Sequence, residues 1–100
     1  MNIAIMLAAR ASSTDRDLVR GLVESGRRRG HVVRLFLLGD GVLDVDLGVA
    51  MAAAGAEVSL CEADAAQRGL HKSDQAGVYF GSLYDWARLA EDADRLVSLS

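Results

Sequence analysis

Proline is absent from this chain, cysteine occurs once, at Cys61, and aromatic residues make up only 5% of its 100 positions. A single thiol excludes thioredoxin-type C-x-x-C chemistry, so any relay through this protein must pass a group between chains. An unpaired cysteine in a chain with no recognisable export signal suits a reducing cytoplasm. Positive charge is also scarce: the net charge is −3 and the isoelectric point near 5.2, which argues against a nucleic-acid-binding surface. The one basic run, Arg27-Arg28-Arg29, falls in the last turn of an expected helix, where cations complement the helix dipole. The first residues, Met1 to Ala9, are largely apolar but have no basic leader, and the run is far too short to cross a bilayer, so no membrane contact is expected. His31 and His71 have no second histidine or cysteine at ligand spacing, and neither a metal nor a cofactor is expected.

What is present is a composition of 51% hydrophobic and 25% charged residues, that of a soluble globular chain with one core and one domain, residues 1–100. Ile3 to Ala8 is continuously apolar, as in a strand covered on both faces of a parallel sheet. Arg10 to Thr14 is then a loop with several candidate N-caps. Leu18, Val19, Leu22 and Val23 form the stripe of a helix running to about Arg29 and stopped by Gly30. Val32 to Leu38 is a second apolar strand, broken by Gly39-Asp40-Gly41. Val42 to Ala54 reads as a loop followed by a helix that Gly55 ends, with Asp44 and Asp46 as solvated loop residues. Glu57 to Leu60 is the third strand and Glu62 to Arg68 a helical segment. The polar stretch Leu70 to Gly77 is expected to be a mobile loop. Ser82, with Asp85 three residues on, caps a last helix whose buried face is Leu83, Trp86, Ala87 and Ala90, and Asp94 to Leu99 closes the chain as a fourth strand. Such alternation predicts an α/β three-layer sandwich, a parallel sheet of four or five strands flanked by helices with right-handed crossovers.

Chemistry converges on Cys61, at the carboxyl end of the third strand, the edge of an open α/β sheet where ligands collect. Backbone N–H groups of a helix starting there attract a thiolate, Glu62 and Asp64 repel it, and Arg68 can offset them only by folding back. Against this, free cysteine at the end of an apolar strand often only fills space. A rival site is the first loop, Ala9 to Thr14, which leads from a strand into a helix N-terminus, where anions bind. That loop contains no glycine, however, so neither G-x-G-x-x-G nor a P-loop is present, and capping is the simpler use of Ser12 to Thr14. Tyr79, Phe80, Tyr84 and Trp86 gather four aromatic side chains within eight positions. They form a subunit contact, or Tyr79 and Phe80 pack under the preceding loop.

These features together resemble the DsrE/DsrF-like sulfur-relay family, with the closest likeness to its TusD/DsrE branch and its YchN-like fold. The resemblance rests on the apolar first strand, on Gly30-His31-Val32-Val33 entering the second, on a cysteine ending the third with Arg-Gly seven and eight residues later (Cys61, Arg68, Gly69), and on Asp94-Arg95-Leu96-Val97 after the last helix. It implies that Cys61 carries sulfane sulfur as a persulfide, making the chain a sulfurtransferase of the carrier kind, with Arg68 and Gly69 in support. It further implies donor and acceptor proteins as partners, and a homo-oligomer (trimer or hexamer) or a hetero-oligomer with related subunits. The departures are the acidic residues between Cys61 and Arg68 and a shorter loop after the second strand. Two other functions fit the residues: a non-catalytic oligomeric subunit or binding module in which Cys61 is structural, and an anion-binding domain using the first loop.

Overall fold

The computed structural model describes residues 1–71 and 75–99. Five parallel strands alternate with helices: β1 (Asn2–Leu7), α1 (Ser13–Arg28), β2 (Val32–Leu37), a 3-10 helix (Gly39–Asp44), α2 (Val45–Ala53), β3 (Glu57–Cys61), α3 (Glu62–Gln67), β4 (Val78–Gly81), α4 (Leu83–Asp92) and β5 (Arg95–Leu99). The sheet order is β4-β3-β2-β1-β5, with β1 and β2 at the centre, in register from Asn2 beside Val32 to Leu7 beside Leu37. The chain steps outward from β1 to β4 and then returns across the sheet to β5. Right-handed crossovers therefore put α1, α2 and α3 over one face and leave α4 alone over the other.

Side-chain contacts bear this out. On the first face Gly26 of α1 sits against Val33 and Ile3, and Gly48 of α2 against Leu37 and Val58, so that Ile5, Leu7, Leu35, Leu37, Leu60, Val19, Val23 and Leu47 fill one dry core. On the second face the Trp86 ring of α4 meets Phe36 with centroids 5.6 Å apart. That lone helix covers the middle of its face and not the β3–β4 side. No residue of α4 is fully buried.

The ends of the elements follow local chemistry. Ser12 and Ser82 cap α1 and α4 in reciprocal capping boxes with Asp15 and Asp85. Helices α1, α2 and α3 each end in the same double bond, for α3 Gly69 N–H to the Ala66 carbonyl (3.2 Å) and Leu70 N–H to that of Ala65 (3.0 Å), which requires a left-handed residue met here by Gly69 at φ +76°. Gly41 lies so close to the Leu7 carbonyl that any side chain there would clash, and this holds the 3-10 helix against the carboxyl end of β1.

Several expectations need correction. Val78–Gly81 is a strand in its own right, which makes the closing strand the fifth. Val42 to Ala54 holds the end of a 3-10 helix followed by α2, with no open loop. The inward face of α4 is Trp86, Leu89 and Ala90, whereas Leu83 and Ala87 point outward. Leu70 packs on the core, and residues 72–74 of the expected mobile loop lie outside the described residues. No helix among the described residues is long and apolar enough to cross a membrane.

Candidate functional site

Cys61 is the last residue of β3, and the pleat decides which way it faces. Val58 and Leu60 belong to the core under α2, so Glu57, Ser59 and Cys61 project to the face that α4 leaves partly open. The residue is 5% exposed, yet it is among those lining an open groove of about 840 Å³ between α3, β4 and the start of α4. Its register partner on β4 is Gly81. The groove's rim is apolar, with Tyr79 61%, Leu83 55% and Tyr84 68% exposed. Beyond Tyr79 a smaller hollow of about 390 Å³ continues along α4, lined by Arg34, Glu57, Ser59, Arg88 and Asp92.

The electrostatics of the groove are one-sided. Among the described residues its charged lining is Glu62, Asp64 and Asp85. Asp64 accepts the Gly39 N–H at 2.7 Å and Asp85 accepts the Ser82 N–H at 2.8 Å, so both carboxylates are positioned by backbone. Arg68 does not fold back toward the sulfur. Its Nε donates to Asp40 Oδ1 (3.0 Å) and its Nη1 to the Asp64 carbonyl (3.0 Å), which ties the end of α3 to the 3-10 helix. Gly69 serves the turn that ends α3. Arg68 and Gly69 thus hold the end of α3 in place, through Asp40 and through the turn after the helix.

The first loop is filled from within. Asp44, expected as a solvated loop residue, is completely buried: its Oδ2 accepts the Ala11 N–H at 2.7 Å, and its Oδ1 pairs with Arg16 (2.9 Å) and Arg10 (3.2 Å). This carboxylate already takes the Ala11 N–H and pairs with Arg10 and Arg16, which disfavours the anion-binding reading. Asp46 is the solvated one of the two, 69% exposed, and its bond from Arg16 at 2.6 Å holds its carboxyl below the usual range and the Arg16 guanidinium above its own. The aromatic group also divides. Phe80 is buried, Trp86 is half-buried on Phe36, and Tyr79 and Tyr84 remain outside, beside Cys61. No group of three metal-ligating side chains occurs among the described residues.

Sequence reasoning placed Cys61 at the end of the third strand and missed the groove. The signal for the latter was the triplet Val78-Tyr79-Phe80 between Gly77 and Ser82, a short strand whose middle residue must face opposite to its buried neighbours.

No family model matches the chain, and no curated protein matches it in sequence. Among solved structures, the crystal structure of the YchN protein from E. coli superposes with a TM-score of 0.75 at 20% identity, over 99% of this chain and 100% of that one. This likeness gives the fold: a single compact domain with a five-stranded parallel sheet flanked by helices, of the YchN-like, DsrE-like kind.

Proposed function

We propose that this chain is a sulfur carrier of a sulfur relay, of the TusD/DsrE kind, working with donor and acceptor proteins in a reducing cytoplasm. The observation that supports it is the position of Cys61 in the lining of an open groove at the carboxyl end of β3. In the reaction the Cys61 thiolate attacks the outer sulfur of a donor persulfide, R–S–SH. A sulfur–sulfur bond forms at Cys61 as the donor's breaks, and the donor leaves as R–S⁻. The thiolate of an acceptor then attacks the outer sulfur of the Cys61 persulfide, and Cys61 returns as thiolate. Each exchange is electron-neutral and needs no oxidant. Arg68 and Gly69 act on geometry, by fixing α3.

A second reading is favoured by one observation, the 5% exposure of Cys61: a non-catalytic subunit or binding module in which the sulfur is core. Mass spectrometry after incubation with a persulfide donor separates the two. The carrier gains one sulfur, on Cys61, and Cys61→Ser gains none; wild-type protein that stays unmodified while native is the module.

Self-association belongs to the proposal as well. Two of the four aromatic side chains invoked for it lie inside, and the other two flank the groove, so we place the contact between copies elsewhere, at the open edge of β5 where Leu96 is exposed.

A further inference from the structure

The groove above Cys61 combines an apolar rim with charge of a single sign. Among the described residues, Glu62, Asp64 and Asp85 are the charged side chains that line it, and none of the three takes part in an ion pair. The cation nearest Cys61 in sequence, Arg68, is committed to Asp40 and to a backbone carbonyl, and Arg34 and Arg88 line the adjoining hollow rather than the groove. Tyr79 and Tyr84 add exposed ring faces, which attract ammonium and guanidinium groups. A concave site walled by one sign of charge concentrates counter-charged ligands and repels others. Resting on the carrier reading, we propose that the groove receives a cationic segment of a partner protein, a thiol flanked by lysine or arginine and an apolar residue, and turns away anionic small-molecule sulfur donors such as thiosulfate and tripeptide persulfides. Its volume of about 840 Å³ accommodates several side chains. The carboxylates meet the partner's cations, Leu83 and the tyrosine rings cover its apolar residue, and its thiol reaches Cys61. Specificity for a protein over a small metabolite then comes from charge, with no subsite for the rest of a small donor.

The test measures how fast Cys61 in the native protein reacts with three methanethiosulfonates of similar size, one cationic (trimethylammonium), one neutral and one anionic (sulfonate). The thiolate attacks the sulfenyl sulfur, a mixed disulfide forms and methanesulfinate leaves, and each rate is normalised to that of free N-acetylcysteine. At low salt the cationic reagent should outrun the anionic one by roughly tenfold, and the ratio should shrink toward one as salt rises. Glu62→Gln should narrow the ratio and Glu62→Lys should reverse it. A peptide with cysteine between arginine and leucine, activated as its aryl disulfide, should react faster than its glutamate counterpart. Equal normalised rates for all three reagents, or a ratio untouched by Glu62→Lys, overturn the proposal while leaving the carrier reading intact. Rates that fall as protein concentration rises overturn it too, since a second copy then fills the groove. If no reagent reacts before denaturation, the carrier reading itself has failed.

Discussion

Cys61 and Gly81 stand opposite each other in the parallel register of β3 and β4, and the space beside Gly81 is already taken. A Cβ at Gly81 would lie 2.6 Å from Asp85 Oδ2 and 2.8 Å from Tyr79 Cε2. The missing side chain therefore lets the capping carboxylate and the tyrosine ring close over the strand end next to the sulfur. Gly81→Ala should displace both, at a cost of about 1 kcal/mol, most of it the lost cap of α4. A thermal midpoint lower by roughly 4–8 °C would agree with this. An unchanged midpoint would mean that the ring and carboxylate move aside freely.

Asp44 is a fully buried carboxylate outside the apolar core. It satisfies the Ala11 N–H and pairs with Arg16, so it joins the loop after β1 to the 3-10 helix after β2. Asp44→Ala leaves that N–H and a partly buried guanidinium without their acceptor. The expected loss is about 3 kcal/mol, read as a lower urea midpoint with unchanged slope. Asp44→Asn, which keeps one acceptor oxygen, should lose less. A loss below roughly 0.5 kcal/mol for the alanine variant, the range of ordinary surface changes, would show that water replaces the carboxylate there.

The pair of Asp46 with Arg16 gives a pH signature of known sign. The bond from Arg16 lowers the folded-state pKa of Asp46, so its contribution is present above the unfolded value of about 3.9 and is lost as pH falls through the lowered folded value. With Asp46 69% exposed, solvent screening keeps the effect within about 1 kcal/mol. Wild type and Asp46→Asn should therefore differ slightly at pH 7 and converge as pH falls through the lowered folded value. A difference that widens in acid would contradict this assignment.

How much of this the sequence revealed depends on how local the cause is. The central strands were legible because a strand buried on both faces is apolar at every position, as Ile3 to Leu7 is. Helix ends were legible because a capping box or a left-handed glycine is written within four or five residues. Cys61 was legible as a strand-end residue for the same reason. Asp44 was not: the N–H that fixes it lies 33 positions away at Ala11, and no local pattern separates a carboxylate that turns in from Asp46, which turns out. The face of α4 was misread because one helix over a five-stranded sheet buries a narrow stripe. Leu89 turns inward, while Leu83 is left on the rim of the groove.

Assembly can be examined without any knowledge of partners. If copies meet along the open edge of β5, light scattering at micromolar concentration should give a mass above the 10.6 kDa of one chain. Leu96→Asp places a charge on that edge and should reduce the mass. Tyr84→Ser, on the groove, should leave the mass unchanged. The opposite pattern would move the contact to the groove.

The decisive variant is Cys61→Ser. A carrier cysteine must be reached by its partner and must react as thiolate, so wild-type Cys61 should be alkylated in the native state, faster as pH rises from 6 to 9. In the lining of an open groove a serine hydroxyl can find water or a polar neighbour. The substitution should then change stability by under about 1 kcal/mol while abolishing sulfur loading. A sulfur sealed in the core behaves differently. There the hydroxyl is left unsatisfied at a cost of roughly 1–3 kcal/mol, and alkylation waits for unfolding. The 5% exposure of Cys61 makes the comparison sharp, because the residue lines the groove and is nonetheless nearly covered. Alkylation only after denaturation, together with a clear loss of stability in Cys61→Ser, would end the carrier reading and leave the chain as an assembly module.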